Sequence, residues 1–298
     1  RWSPHRVKML WNQYINSRAN GIRPGRALII GTPKGYNYLY DMYNAHEKDN
    51  LWKSFHFDYT TSPYLDPDEI ERLRHTIDPL EFNSEYKATF EDSGLRVFYN
   101  FARKLHVTDS LEYFRDDEDV HIGIDFNVGL QASSVFAIRG KQPQFLDEFK
   151  NLPDTEELAK AICGRYKNGK RKIYVYPDPT GRSRKTSAAV GRTDFSILQS
   201  YGLQTLARTA SPSIVDSVKA VNRKLLTASG QTDLYIHPRC EGIIRSLERT
   251  SWLDNNPDTA ALDKKKGDEH FSDSVRYPIE YLYPVQAGSK IVHRASGF

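Results

Sequence analysis

The stretch DEHFSDSVRY at residues 268–277 holds side chains that could do chemistry, because a histidine and an aspartate lie three residues apart ahead of an apolar run. On a helix, this spacing places His270 and Asp273 on one face, where an imidazole and a carboxylate could reach the same point. An ordinary helix start also carries such acids, since Asp and Glu are favoured at helix N-termini. The decision between the two interpretations depends on whether other carboxylates converge on Asp273.

Two further aspartates follow apolar segments that are typical of strands. Asp125 ends HIGID and precedes FNVG, and Asp178 follows IYVY between two prolines. If these two strands are parallel neighbours, both carboxylates leave the sheet at one edge, and a helix carrying Asp273 can add a third. Clustered carboxylates repel one another unless cations neutralise them. Their hard oxygens suit Mg²⁺ or Mn²⁺, and two such ions can activate water for phosphodiester hydrolysis.

Each residue also has a plain structural interpretation. Asp125 could be a strand-end turn residue, Asp178 in PDPTG a turn aspartate, and His270 a solvated residue at a helix start. The three acids together, each at the edge of an apolar element, favour a metal site. Glu148 in FLDEF could support a metal ligand from behind, be a ligand itself on a third strand, or simply be an exposed strand residue.

The elements that must position these residues follow from the hydrophobic periodicity beyond residue 118. In chain order, the predicted strands are DVHIGIDFNVG, SSVFAIRGK, QPQFLDEFKN, KIYVYPD and TDLYIH. The predicted helices are DTEELAKAICGRYKNG with Asp154 as its cap, two helices near 188–200 and 212–229, CEGIIRSLERT, and the helix of the HFSDSVRY segment. This order predicts an α/β fold, a mixed sheet flanked by helices.

The part of the chain before residue 92 has a different pattern. RALIIGTPKG (26–35) predicts a short buried strand that runs into a turn, and WKSFHFDYT alternates as a strand does. Helices are predicted for SPHRVKMLWNQYINSR, YNYLYDMYNAHE, LDPDEIERLRHTI with Asp66 as its cap, and DPLEFNSEYKATFED.

The composition excludes several classes of protein. With 39% hydrophobic and 27% charged residues, the chain is typical of a globular protein. No apolar run reaches the ~18 residues of a membrane span, and two cysteines exclude a disulfide framework or a cysteine-rich zinc site. The net charge of +4 mildly favours a polyanionic partner. Because the first residue is Arg1 and not Met, we expect a fragment or a processed chain.

Several motifs, in their order along the chain, resemble those of the large terminase subunits of tailed bacteriophages. RALIIGTPKGYNYLYDMY resembles the segment that closes their ATPase core, and EYKATFEDSGLRVF (85–98) is similar to the stretch joining ATPase and nuclease. GIDFNVG, YPDPTG and HFSDSVRY match, in order, the acidic motifs of the nuclease. The resemblance covers nearly the whole chain. It implies a ribonuclease H-like nuclease domain at residues 93–298, preceded at residues 1–92 by the C-terminal part of a packaging ATPase.

The resemblance also implies roles for individual residues. Asp125, Asp178 and Asp273 are expected to bind two Mg²⁺ or Mn²⁺ ions, with Asp125 shared by both, and His270 is expected to be an auxiliary catalytic residue. Neither a Walker A nor a Walker B motif occurs in these residues, so the resemblance implies a fuller chain in which both precede Arg1. ATP is therefore expected as a ligand of the full-length protein alone, without ATPase activity of this chain.

The function implied by the resemblance is that of a metal-dependent endonuclease, which cuts concatemeric double-stranded viral DNA as part of the packaging motor. Its implied partners are double-stranded DNA, the portal protein, the small terminase subunit and further copies of the chain around the portal, without a membrane. The implied location is the host cytoplasm, transiently at the procapsid portal and not in the mature virion.

Since phosphate binding needs cations, the candidates for DNA-backbone contact are the loop residues Arg182, Arg184, Lys185, Lys264, Lys265 and Lys266. A solvated charge run explains the loop lysines equally well.

Two other functions stay open at this point. A Holliday-junction resolvase or transposase-like nuclease could use the same fold and acids, although GTPKG and EYKATFED argue against it. A non-catalytic DNA-binding or motor-docking module would carry the same acids for structural reasons. A preference for branched DNA would favour the first alternative, and a lack of metal affinity would favour the second.

Overall fold

A six-stranded mixed sheet lies at the centre of the protein in the computed structural model. The structure describes residues 28–33, 38–44, 52–91, 94–126, 131–168, 171–183, 192–253, 261–264, 267 and 269–285. The strands are β1 (Val120–Asp125), β2 (Gln131–Arg139), β3 (Gln142–Leu152), β4 (Ile173–Pro177), β5 (Gln204–Thr205) and β6 (Tyr235–Ile236).

The strand order across the sheet is β5-β4-β1-β2-β3-β6. Strand β2 is antiparallel to both β1 and β3, whereas β4 is parallel to β1, β5 to β4, and β6 to β3. The predicted parallel pairing of the first and fourth strands is confirmed. The predicted mixed sheet flanked by helices is confirmed as well.

Helices cover both faces of this sheet. In the described residues they are α1 (Tyr38–Asn44), α2 (Pro67–Arg74), α3 (Pro79–Glu85), α4 (Arg103–His106), α5 (Thr155–Tyr166), α6 (Asp194–Ser200), α7 (Ile214–Leu225), α8 (Glu241–Arg249) and α9 (His270–Leu282). The predicted caps are confirmed, because the Asp66 carboxylate accepts from the Asp68 amide and the Asp154 carboxylate from the Glu157 amide. Among these helices, none is long and apolar enough to cross a membrane.

The alternation of side chains along β1 separates two cores. Val120, Ile122 and Ile124 are fully buried and pack with residues of α5 and α6. The alternate residues of β1, which include Gly123 and Asp125, lie on the other face, where α7, α8 and α9 enclose the second core. Asp125 therefore ends its strand on the face that α9 covers.

Two predicted strands near the start of the chain are wrong. Residues 28–33 carry no regular secondary structure, and Leu28 and Ile30 are 81% and 86% exposed. Residues 52–58 are also irregular and lead into a short 3₁₀ turn, with Phe55 and Phe57 exposed. A strand needs a neighbour for its backbone groups, and neither segment pairs with any strand that the structure describes. The predicted helix SPHRVKMLWNQYINSR lies outside the described residues.

Helices α2 and α3 form a small satellite core from Ile70, Leu73, Ile77 and Phe82. They also join the sheet domain, because the Glu81 carboxylate of α3 accepts two bonds, at 3.0 and 3.1 Å, from the Arg223 guanidinium of α7. The predicted domain boundary, between residues 92 and 93, lies outside the described residues, so the division into two domains stays a prediction.

Candidate metal centre

The ends of β1 and β4 bring Asp125 and Asp178 to the same edge of the sheet. Ile124 pairs with Pro177 in the parallel ladder, and the Asp178 amide donates to the Ile124 carbonyl at 3.1 Å. Side-chain alternation places Asp125 on the face of Gly123, and the tyrosine two residues before Asp178 belongs to the core on that same face. The side chains of Asp125 and Asp178 therefore extend from neighbouring backbone positions on the face that α9 covers.

A close contact fastens the two strand ends to each other. Phe126, which follows Asp125, packs against Gly181 in the turn after Asp178. A Cβ atom on Gly181 would lie 2.3 Å from the Phe126 ring, so only glycine allows this approach.

Helix α9 lies directly on β1 at a second glycine. A Cβ atom on Gly123 would lie 1.7 Å from the Ser274 carbonyl oxygen of α9 and 2.9 Å from the Pro278 ring. The Ser134 hydroxyl of β2 donates to the same Ser274 carbonyl at 2.9 Å. The backbone of α9 is thereby fixed over the strand that ends in Asp125.

From this position α9 contacts both strand-end carboxylates. His270 Nδ1 lies 3.2 Å from Asp125 Oδ2, and the Tyr277 hydroxyl donates to Asp178 Oδ2 at 3.0 Å. The other oxygen of Asp178 accepts from the Thr180 amide at 2.9 Å. His270 therefore contacts the sheet edge, as its spacing from Asp273 predicts. It is not simply a solvated residue at the helix start.

Asp273 lies in the first turn of α9 and is only 5% exposed. Its Oδ1 atom accepts from Nε and Nη2 of Arg276, at 3.1 and 2.6 Å. The guanidinium is itself buried, so this is a buried ion pair within one helix.

The pKa directions show how these groups act on each other. Burial raises the pKa of Asp125, and the nearby Asp273 and Asp178 raise it further, whereas the bond with His270 opposes the shift. The hydrogen bond to Asp125 raises the pKa of His270. Burial raises the pKa of Tyr277, and the charges of all three aspartates add to this effect. The carboxylates are therefore close enough to repel one another, which a cation would offset.

The donor set suits a hard divalent cation, because it consists of carboxylate oxygens at a buried edge. Within the ranges that the structure describes, however, no three His, Cys, Asp or Glu side chains are gathered closely enough to hold one metal ion. Mg²⁺ typically takes one or two carboxylates together with water and substrate phosphate. Asp125, Asp178 and Asp273 are thus neighbours in electrostatic range and do not form a preformed three-ligand cage.

Sequence reasoning assigned no role to Tyr277 or Arg276, although both stand in the segment that it singled out. Tyr277 is four residues from Asp273 and thus on its helical face, which is the signal that was available. Glu269, one residue before His270, was also missed. It is 3% exposed, and its Oε2 atom has no hydrogen-bond partner among the described residues.

Glu148 has a structural role at another helix. Its two oxygens accept from the amides of Gly242 and Ile243, at 3.0 and 3.1 Å, in the first turn of α8. The exposed alternative is therefore wrong, because the Glu148 side chain is only 6% exposed, and a role of Glu148 at the metal site stays a prediction.

The described candidates for DNA contact are Arg182 and Lys264, and both are exposed. Arg182 Nη2 donates to the Ala207 carbonyl at 2.9 Å, and the guanidinium lies 5.1 Å from the centre of the Phe195 ring. Arg182 is therefore already engaged within the chain. The remaining candidates, Arg184, Lys185, Lys265 and Lys266, lie outside the described residues.

Comparison with known proteins gives one curated relative and several solved structures. The chain is 24% identical over 267 residues to the large terminase subunit of Escherichia phage T5, which covers 85% of this chain and 58% of the relative. The structure is similar to the large terminase of a thermophilic bacteriophage in complex with ATP-gamma-S, with a TM-score of 0.61, 13% identity, and 93% and 68% of the two chains covered. For the ADP complex of the same terminase the TM-score is again 0.61, with 14% identity and coverage of 89% and 64%. No family model matches the chain.

These likenesses confirm the predicted resemblance to large terminase subunits. The chain spans about 58% of the length of the curated relative that it matches. The likeness to the solved structures, at 13% and 14% identity, concerns the fold.

Proposed function

We propose that this chain is the nuclease-bearing part of a large terminase subunit and acts as a metal-dependent endonuclease on double-stranded viral DNA during genome packaging. The observation that carries the proposal is the geometry of α9, which brings Asp273 to the sheet edge while His270 and Tyr277 bind Asp125 and Asp178. The sequence similarity to the large terminase subunit of phage T5 supports the same conclusion.

In this proposal Asp125, Asp178 and Asp273 would hold two Mg²⁺ or Mn²⁺ ions. Such ions, when bound, activate water and stabilise the leaving oxygen of a phosphodiester. The protein's own part is to hold the ligands: His270 orients the Asp125 carboxylate, and Tyr277 orients that of Asp178. Second-layer hydrogen bonds of this kind fix the orientation of ligating carboxylates.

The proposal extends to the rest of the packaging motor. Residues 1–92 are the C-terminal part of the packaging ATPase, and the Glu81–Arg223 ion pair joins this part to the nuclease. ATP binds in the full-length protein, and the partners are double-stranded DNA, the portal protein, the small terminase subunit and further copies of the chain. The motor acts in the host cytoplasm, at the procapsid portal.

DNA contact is proposed at Lys264 and at the basic residues Arg184, Lys185, Lys265 and Lys266, because cationic loops neutralise backbone phosphates without reading bases. Arg182 is less available, since its guanidinium is bound to the Ala207 carbonyl.

Plasmid cleavage tests the proposal. The wild-type chain is expected to nick or linearise supercoiled plasmid with Mg²⁺ or Mn²⁺ and to be inactive in EDTA, and Asp125→Asn is expected to abolish cleavage. Asp147→Asn is the matched control, because Asp147 lies on β3, which β2 separates from β1, and binds Tyr166 and Arg165. Undiminished cleavage in excess chelator would contradict metal dependence.

Two additional measurements separate the alternatives. Faster cleavage of a four-way junction than of a linear duplex would favour a junction resolvase. A wild-type chain that binds no Mn²⁺ in a titration would favour a module whose acids are structural.

A further inference from the structure

Asp273, the third carboxylate of the centre, is held differently from the other two. Asp125 and Asp178 end strands of the sheet, and a side chain of α9 binds each of them. Asp273 lies on α9 itself, so the sheet does not fix its rotamer. Its hydrogen-bond partner is Arg276, one turn further along the same helix.

The geometry of this pair is unusual for arginine and carboxylate. A bidentate guanidinium commonly takes both oxygens of a carboxylate. Here both Nε and Nη2 of Arg276 donate to the same atom, Asp273 Oδ1. The guanidinium therefore fixes Oδ1 of Asp273, and neither of these two bonds uses Oδ2, which could then face a cation.

Arg276 is held in turn by a second helix. Its Nη1 atom donates to the hydroxyl of Ser217 in α7, a residue that is completely buried. That hydroxyl donates to the Ile214 carbonyl at 2.9 Å, so its lone pairs are turned towards Arg276. Helix α7 thus sets the position of the guanidinium, and the guanidinium sets the position of the carboxylate.

We propose that Arg276, held by Ser217, is a positioning residue that orients the Asp273 carboxylate for metal binding. The inference rests on the proposed function, because it concerns the same site. In the hydrogen bonds of the described residues, Arg276 binds Asp273 and Ser217 and neither of the other two aspartates, so it acts through Asp273.

The sign of its effect on metal affinity distinguishes this role from simple electrostatics. A cation beside a metal site repels the metal, so the removal of Arg276 should strengthen Mn²⁺ binding if charge were its only contribution. If Arg276 positions Asp273, its removal should weaken Mn²⁺ binding, because Asp273 loses the orientation of its second oxygen. Loss of an orienting partner typically costs 10- to 100-fold in metal affinity.

The experiment measures Mn²⁺ affinity of the 298-residue chain by titration, with free Mn²⁺ followed by electron paramagnetic resonance. Arg276→Gln is expected to raise the Mn²⁺ dissociation constant of one ion by at least about tenfold. Arg276→Lys keeps the positive charge but lacks the planar guanidinium, and it is expected to recover part of the Mn²⁺ affinity. The Mn²⁺ affinity of Ser217→Ala is expected to lie between those of wild type and Arg276→Gln. Arg208→Gln is the control, because it removes an ion pair with Glu280 on the same helix and leaves Asp273 untouched.

Thermal unfolding in EDTA and with Mn²⁺ gives the second measurement. The stabilisation by Mn²⁺ is expected to shrink in Arg276→Gln and to stay unchanged in Arg208→Gln. If Arg276→Gln does not fold, Arg276→Lys and Ser217→Ala decide, since both keep the buried site close to its native volume.

The outcomes separate this inference from the proposed function. Equal or tighter Mn²⁺ binding in the folded Arg276 and Ser217 variants overturns the positioning role and leaves the nuclease proposal standing. A wild-type chain without Mn²⁺ affinity overturns both.

Discussion

Tyr277 and Asp178 are 99 residues apart in the chain and are joined by a hydrogen bond of 3.0 Å between the phenol and Oδ2. The bond crosses from the final helix to the end of a central strand. Together with the His270–Asp125 contact, it makes α9 the element that supports both strand-end carboxylates.

Tyr277→Phe tests this support, because it removes the hydroxyl and keeps the ring. We expect a loss of about 1 kcal/mol in the free energy of unfolding and a roughly 10- to 100-fold loss of cleavage or metal affinity. Tyr281→Phe is the matched control on the same helix, since its ring packs on Tyr176 away from the aspartates. Chemical unfolding and plasmid cleavage check both variants, and equal losses of cleavage in the two would contradict the role of Tyr277.

The His270–Asp125 pair makes the stability of the metal-free protein depend on pH. The bond to Asp125 raises the pKa of His270 above its ordinary 6.5, so the native state holds this proton more tightly than the unfolded chain does. The stabilisation is therefore fully present below about pH 6.5 and is lost as the pH rises through the folded-state pKa. Burial also raises the pKa of Asp125, so the native state holds the Asp125 proton more tightly than the unfolded chain does. The contribution of Asp125 to stability therefore also falls as the pH rises through its folded-state pKa.

His270→Asn is consequently expected to cost about 1 kcal/mol at pH 6 and little at pH 9. Thermal unfolding in EDTA from about pH 5.5 to 9 measures the difference from wild type. His75→Asn serves as the control, because it removes an exposed pair with Glu71 whose contribution is expected to be near zero throughout. A His270→Asn deficit that stays constant with pH would show that the imidazole acts through packing alone.

Local patterns predicted the sheet domain well, and long-range contacts explain what they missed. The apolar run HIGID and the cap Asp154 are properties of short segments, so β1 and α5 could be predicted from neighbours in the sequence. RALIIGTPKG is an equally good strand by its residues, but residues 28–33 have no partner among the strands that the structure describes. The pairing of strands depends on tertiary contacts, which the hydrophobic periodicity of a segment does not reveal.

In the candidate site, too, local patterns predicted some features, and long-range contacts determine the others. The edge position of Asp125 and Asp178 follows from strand ends and could be predicted. The pairing of Asp273 with Arg276 is a local i,i+3 contact, but the bond that holds Arg276 could not be predicted, because Ser217 lies in a helix 59 residues away. Because Asp273→Asn would leave Arg276 buried beside an uncharged amide, we expect this variant to lower the free energy of unfolding.

Glu148→Gln tests whether this acid belongs to the site. Because its carboxylate accepts from the amides of Gly242 and Ile243, we expect a loss of about 1 kcal/mol in stability from the weakened helix start. Mn²⁺ affinity and cleavage at a temperature well below unfolding are expected to match wild type. A loss of Mn²⁺ affinity without a loss of stability would instead make Glu148 a ligand.

Gly123→Ala tests the contact that seats α9 on the sheet. A Cβ atom at this position would lie 1.7 Å from the Ser274 carbonyl oxygen, and a helix backbone cannot rotate out of the way as a flexible side chain can. We expect α9 to shift, with a loss of about 2–3 kcal/mol or more in the free energy of unfolding and with loss of cleavage, because His270, Asp273 and Tyr277 all move with the helix. Gly164→Ala is the matched control: it adds the same methyl group in α5, where no atom of the described residues lies within 4 Å. There the change is expected to stabilise the helix by up to about 1 kcal/mol. Chemical unfolding and plasmid cleavage compare the two, and a Gly123→Ala protein with wild-type cleavage would show that the carboxylates do not depend on the seating of α9.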